Sequence, residues 1–354
     1  MQRNPKKYKN CNMTSRNIKI TGKAQVVCVV EELENSPLKE GEILVRNEAS
    51  LISTGTELSR VYGLKKGIVY PVYPGYASIG RVEDTGDGVN FIRGDRVLYS
   101  GPHQELYRFP LKTMLETMSS LGMIVRLGSE FDGLDSIDAS LIHLGLVAMN
   151  GICPAELKLG DTVCVFGLGI VGLLTALLYQ ASGAHVLGVD TVENRTSHAR
   201  QAGLQNALAA QSEKQTEAVT NYFEGEPNIT VDATGRSEGI INAIMSCGKN
   251  GQVLLLGSPR EDYTCNVTGV FNRLHMNMIT LTGAFNGRYP FYRKEGSRES
   301  IERNIASFAA LIKKGTINPQ NIISHIVKPE AAMEAYDGLY NHPDTYHCVA
   351  FDWK

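Results

Sequence analysis

The spacing of apolar and polar positions changes character partway along the chain. Residues Ala24 to Val30 and Glu42 to Arg46 alternate or run apolar, with Glu40-Gly41 as a turn between them. Ala77 to Asp84 and Asp95 to Tyr99 repeat the pattern around Thr85-Gly86-Asp87-Gly88. Short strands with glycine-rich turns imply a barrel-like or sandwich unit. From about Ser136 the period becomes helical, with Ile142, Leu146 and Met149 on one face. Strands at 162–166, 185–189, 229–233, 252–257 and 278–282 then follow. Helices near 170–183, 193–203 and 237–247 lie among them. That alternation implies a doubly wound parallel sheet. A charged helix from Ser300 to Lys314, another from Pro329 to Tyr340 and an apolar strand from Cys348 to Phe351 complete the pattern.

One junction carries chemistry. The strand Thr162 to Phe166 runs into Gly167-Leu168-Gly169-Ile170-Val171-Gly172, then an apolar helix, then the strand His185 to Val189 and Asp190. The first glycine permits a tight turn. The second lets backbone approach a pyrophosphate, and the third lets helix and strand pack closely. The helix N-terminus offers unpaired N–H groups to phosphates. Asp190 follows Gly167 by 23 residues, near the ~20 expected of an acid that binds the adenosine ribose. A carboxylate there repels a 2′-phosphate by roughly 4 kcal/mol at about 4 Å and an effective dielectric near 20. The unit therefore implies dinucleotide binding, with NAD favoured over NADP.

Composition narrows the classes. At 354 residues the chain is long enough for about two domains. Its net charge of −2 gives no reason to expect nucleic acid. No apolar run reaches the ~18 residues a membrane span needs. Met1 to Asn12 is polar and basic without an apolar stretch, so it reads as a tail and not a secretory signal. The seven cysteines are scattered, with no CxxC pair. They read as small hydrophobes in a reducing, cytoplasmic compartment.

The order of these parts resembles the medium-chain dehydrogenase/reductase superfamily. The resemblance rests on Glu42-Ile43-Leu44-Val45-Arg46, Gly94-Asp95-Arg96-Val97, Leu159-Gly160-Asp161, Val231-Asp232-Ala233-Thr234-Gly235 and Leu256-Gly257-Ser258. It implies a GroES-like β-rich catalytic domain plus a Rossmann domain. The expected divisions are a flexible tail over 1–16, the catalytic domain over 17–135, the NAD-binding domain over 136–285 and a return to the catalytic domain over 286–354. It also implies a homodimer or homotetramer, with Ile279 to Leu281 as a plausible edge-pairing surface. To the cofactor set of residues 167–172 and Asp190 it adds Arg195, near the adenosine, and Thr234 and Gly257. The run Ile52 to Glu57 with Pro74-Gly75-Tyr76 is similar to the branch that contains bacteriochlorophyllide a dehydrogenases.

The departures are informative. Where zinc-dependent members carry their catalytic ligands, this sequence carries Thr54, Tyr76 and His143. Neutral hydroxyls are poor zinc ligands beside thiolate, imidazole or carboxylate. The four-cysteine structural-zinc lobe is replaced by Ser100-Gly101-Pro102-His103-Gln104. The chain therefore reads as zinc-free, with side chains handling the charge that hydride transfer creates. His143 is the first candidate for acid/base work, with a core histidine as its alternative. Tyr76 could donate its phenol proton or only pack. Thr56 resembles the family's proton-relay hydroxyl. Glu57 could orient His143 or another donor, or only start a helix. His103 sits where the family's substrate cleft begins, and could instead be a solvated loop histidine.

The leading expectation is a zinc-independent, NAD-dependent oxidoreductase that interconverts a polar secondary alcohol (sugar, polyol or cyclitol-like) and its ketone. A double-bond or quinone reductase using NAD(P)H is the second reading, and a nucleotide-binding protein without catalysis the third.

Overall fold

The computed structural model describes residues 13–64, 66–110, 122–259 and 261–354. The chain opens with an antiparallel pair, β1 (Thr14–Gly22) and β2 (Gln25–Glu32). Next come β3 (Glu42–Leu51), α1 (Thr54–Val61), β4 (Ser78–Thr85), β5 (Arg96–Tyr99), β6 (Leu106–Pro110) and β7 (Ile124–Arg126). The long α2 (Ser136–Met149) leads to β8 (Thr162–Phe166), α3 (Ile170–Ala181), β9 (His185–Asp190), α4 (Glu193–Gln201) and β10 (Ala207–Ala209). Then follow α5 (Gln215–Phe223), β11 (Ile229–Asp232), α6 (Ser237–Ser246), β12 (Gln252–Leu255), α7 (Thr268–Met276) and β13 (Thr280–Gly283). The chain ends with α8 (Ile301–Lys313), β14 (His325–Val327), α9 (Ala332–Asn341) and β15 (Val349–Asp352).

Two larger sheets organise these elements. One has the order β14-β15-β3-β4-β5-β7, with β6 also pairing β3, and is antiparallel except between β14 and β15. The other is parallel throughout, in the order β10-β9-β8-β11-β12-β13. Its chain order reverses between β8 and β11. In open α/β sheets, ligands bind at such a switch, beyond the carboxyl ends of the strands. Helix α2 joins the two halves. Asp135 caps it, accepting a 2.8 Å bond from the Asp138 N–H. It is buried on nearly every face because α3, α8 and β3 all pack on it.

Several elements escape the periodicity. Thr14–Arg16, expected within a tail over 1–16, instead begin β1; residues 1–12 lie outside the described residues. Ser15 is buried, and Arg16 pairs with Glu105 at 2.9 Å and Glu330 at 3.0 Å. Those partners are distant in sequence, so nothing local signals the strand. Helix α1 falls in a run of small polar residues. Strand β13 starts at Thr280 and not 278, because Met278 sits at φ 53° where the chain turns out of α7.

Candidate active site

The glycine turn closes the C-terminal end of β8. Gly167 takes φ 89°, and a Cβ on Gly172 would fall 1.8 Å from the Gly167 carbonyl oxygen, so no larger residue fits there. Gly169 is different: a Cβ there would meet nothing within 4 Å. It begins α3 over open space, which is where a pyrophosphate needs room. Leu168 and Ile170 are buried and Val171 half-buried, so these three shape the turn through packing and backbone. Asp190 is 4% exposed. Its carboxylate accepts the Leu168 N–H at 2.8 Å and the Val192 N–H at 2.9 Å, and lies 3.6 Å from Arg195. The acid thus ties the turn to β9 and still has lone pairs for a ribose hydroxyl. Thr234 is turned inward: its hydroxyl donates to Asp232 at 2.5 Å and accepts from the Arg236 N–H. Gly257 sits so near the β11 loop that a Cβ would lie 2.1 Å from the Gly235 nitrogen. These residues frame the switch point, and a dinucleotide fits the chemistry of this crevice.

The second group lies where α1, the loop before β4 and α2 converge. The Tyr76 hydroxyl makes a short hydrogen bond with Ser53 Oγ. Burial pushes the Tyr76 phenol up, while hydrogen bonding to the Ser53 and Thr56 hydroxyls opposes the rise. The Tyr76 ring meets His143 edge-on, with centroids 5.1 Å apart. His143 is 4% exposed, and its Nδ1 has no hydrogen-bond partner among the described residues. Burial pushes its imidazole down to about 4. His143 is therefore neutral at pH 7, which corrects the expectation of an imidazole titrating near neutrality. It lines a small cleft of about 30 Å³ together with Asn150, Asn286, Tyr289 and Asn304.

Glu57 and His103 belong elsewhere. Both are fully buried. His103 Nε2 meets Glu57 Oε2 at 3.0 Å, and His103 Nδ1 meets Ser50 Oγ at 2.7 Å. The indole N–H of Trp353 donates to the same Ser50 Oγ at 2.9 Å. Tyr336 donates to Glu57 at 2.5 Å, and the Ser53 N–H donates to its other oxygen at 2.8 Å. One proton arrangement satisfies every member: Trp353 to Ser50, Ser50 to Nδ1, Nε2–H to the carboxylate. His103 is thus neither solvated nor at a cleft, and Glu57 orients Ser53 and His103, not His143. The reason is long-range: Trp353 and Tyr336 close this cluster from the C-terminal end of the chain. Ser53 is the site residue that sequence reasoning passed over. A serine just before a helix start was its signal.

The residues at the three positions that hold catalytic zinc in the resembling family are a poor donor set for that metal. Thr54 and Tyr76 offer neutral hydroxyls, the second already bonded to Ser53, and only His143 is a conventional ligand. Among the described residues, no group of three or more His, Cys, Asp or Glu side chains is arranged to hold a metal.

A parallel sheet with a glycine-turn crevice, joined by one buried helix to an antiparallel sheet, defines a class: oxidoreductases that bind a nicotinamide dinucleotide. Comparison with known proteins agrees. The zinc-binding dehydrogenase family model matches residues 171–302, a stretch that contains none of the three ligand positions. Alcohol dehydrogenase 1 of Trifolium repens is 24% identical, over 87% of this chain and 90% of its own. The 2-desacetyl-2-hydroxyethyl bacteriochlorophyllide A dehydrogenase of Cereibacter sphaeroides is 25% identical, over 89% and 91%. An Escherichia coli alcohol dehydrogenase solved with NADH shares the fold at a TM-score of 0.77, with 16% identity over 96% and 99% of the two chains. These matches support the resemblance to the medium-chain dehydrogenase/reductase superfamily.

Proposed function

We propose that this protein is an NAD-dependent oxidoreductase that interconverts a polar secondary alcohol and its ketone, with side chains in place of zinc at the reacting oxygen. The bound nicotinamide supplies the hydride in one direction and accepts it in the other. The observation that carries the reading is the hydroxyl group formed by Tyr76, Ser53 and Thr56 against the unpartnered Nδ1 of His143. In ketone reduction the oxygen gains charge and takes up one proton. Tyr76, protonated throughout the physiological range, donates to that oxygen, and the Ser53 and Thr56 hydroxyls behind it relay the replacement proton. In alcohol oxidation the relay runs in reverse: the substrate proton passes to Tyr76 as Tyr76 hands its own to the Ser53 and Thr56 hydroxyls, while the neutral His143 Nδ1 orients the substrate O–H. Asp190, with two backbone N–H donors and Arg195, supports NAD over NADP through repulsion of a 2′-phosphate.

We infer a cytoplasmic homo-oligomer. The six described cysteines stand as free thiols, which suits a reducing compartment. No helix among the described residues is long and apolar enough to cross a membrane. Strand β13 lies at the edge of the parallel sheet with Leu281 exposed, which favours pairing with a second copy.

The test is a cofactor and metal assay. Protein stripped with a chelator should keep its turnover of secondary alcohols with NAD, and Tyr76→Phe should lower kcat by about 100-fold, the scale of a lost proton donor. Loss of activity on stripping, with recovery on adding zinc, would overturn the reading.

A further inference from the structure

We propose that a stacked pair of imidazoles, His198 and His347, forms a proton-sensitive joint between the two halves of the molecule, and that proton uptake there loosens the dinucleotide site. The joint stands on the contact between the rings; its effect on the cofactor rests on the dinucleotide reading above.

The two rings come from different halves. His198 lies on α4, against the parallel sheet. His347 lies in the segment between α9 and β15, beside the antiparallel sheet. Their ring centroids are 4.0 Å apart and the planes meet at 15°, a face-to-face stack. Each ring is held from behind. His198 is buried, and the Asn321 and Ile322 carbonyls face it. The His347 N–H donates to Ser324 Oγ at 3.0 Å, and that hydroxyl donates to the Cys348 carbonyl at 2.9 Å. The adjoining Tyr346 ring stacks on His325 of β14, with centroids 3.8 Å apart. Backbone on both sides is thus fixed, so repulsion at the stack falls on the contact between the halves.

Little offsets a positive charge here. Arg195 lies three residues before His198, on the same face of α4. Burial pushes His347 down to about 4 from the ordinary 6.5; the His198 ring and the Arg195 charge add to the effect, Asp344 opposes it and His325 adds slightly. Burial lowers His198 too, while the Asn321 and Ile322 carbonyls oppose. Glu334 on α9 acts on His325 and accepts from the Tyr346 hydroxyl at 3.4 Å. Glu193 and Arg200 on α4 pair with each other at 3.2 Å. At neutral pH the stack therefore joins two neutral rings, and a proton on His347 sets a cation against His198 and Arg195.

The cofactor end adjoins the joint. Arg195 lies 3.6 Å from Asp190, and the Val192 N–H, just before α4, donates to the same carboxylate at 2.9 Å. Displacing α4 disturbs the acid assigned to the adenosine ribose and the cation beside it. The docked value of His347 lies below the free one, so docking is fully favoured above pH 6.5 and is lost as pH falls through about 4. Those two values cap the weakening between pH 7.5 and 5 at about 30-fold. His347 is only half-buried and solvent screens part of that, so about tenfold is expected.

The test measures the Kd of NAD at pH 7.5 and pH 5 by calorimetry, with hydrogen exchange of the cofactor-free protein alongside. In the wild type Kd should rise about tenfold, and the amides of residues 193–201 and 344–348 should lose protection beyond the intrinsic change in exchange rate. His347→Phe keeps a ring and His347→Gln a polar group, and neither titrates; both should hold Kd within about threefold and keep their protection. Two variants guard against one that folds poorly. A wild-type Kd that stays within about threefold, or variants whose Kd rises as the wild type's does, overturns the joint. Absence of NAD binding at pH 7.5 defeats the dinucleotide reading instead, and exchange then decides the joint: equal protection at both pH values in the wild type overturns it.

Discussion

Replacing Glu57 with alanine separates a structural acid from a catalytic one. The carboxylate accepts from the Ser53 N–H, the His103 ring and the Tyr336 hydroxyl, in a site with no measurable exposure. Alanine would leave three buried donors without an acceptor. Each such donor costs about 1–3 kcal/mol. Because the losses share one carboxylate they do not add, so about 3–5 kcal/mol is the expected total. That is a large share of the roughly 5–15 kcal/mol that holds a typical domain folded. Glu57→Gln keeps the shape and one acceptor, and should cost less. Urea unfolding followed by tryptophan fluorescence suits the purpose, because Trp353 is the only tryptophan and belongs to the same cluster. An unchanged unfolding midpoint in Glu57→Ala, paired with a collapse in kcat, would refute the structural assignment and return Glu57 to the reacting groups.

Other expectations concern the two halves of the site. Asp190→Ser should erode NAD selectivity by about tenfold in kcat/KM. A single charge at about 5 Å and a dielectric near 20 is worth about 3 kcal/mol, and Arg195 already cancels part of it; selectivity unchanged in the variant counts against the ribose assignment. His143 sets a pH dependence of stability. Its folded value of about 4 lies below the ordinary 6.5, so its neutral form is the one the fold holds. The contribution is complete above pH 6.5 and is lost as pH falls through 4, up to roughly 3 kcal/mol. Chemical denaturation across that window should lose its slope in His143→Phe; an identical slope assigns the dependence to other groups. Leu281→Arg puts a charge on the exposed edge strand and should yield monomers in size-exclusion chromatography, with the wild-type elution volume as the contrary result.

The sequence by itself determined what depends on neighbours within a few residues. Period-2 runs marked β3, β4 and β5, and strand–glycine–helix spacing marked the turn at residues 167–172 with Asp190 beyond it. These are local because turn sterics and helix packing act over one element. The weakness of Thr54 and Tyr76 as metal ligands was legible too, since it follows from side-chain chemistry alone. Tertiary structure decided the rest. His103 and Glu57 became core residues because Trp353 and Tyr336, some 250 to 300 positions away, arrive with hydrogen-bonding groups. His143 lost its titration near neutrality through desolvation by α2's neighbours, which no local pattern encodes. Asn150 and Asn286, 136 positions apart in sequence, come within 2.9 Å only through folding. Backbone preference is set by adjacent residues, whereas burial and hydrogen-bond partnership are set by whatever the completed fold brings alongside.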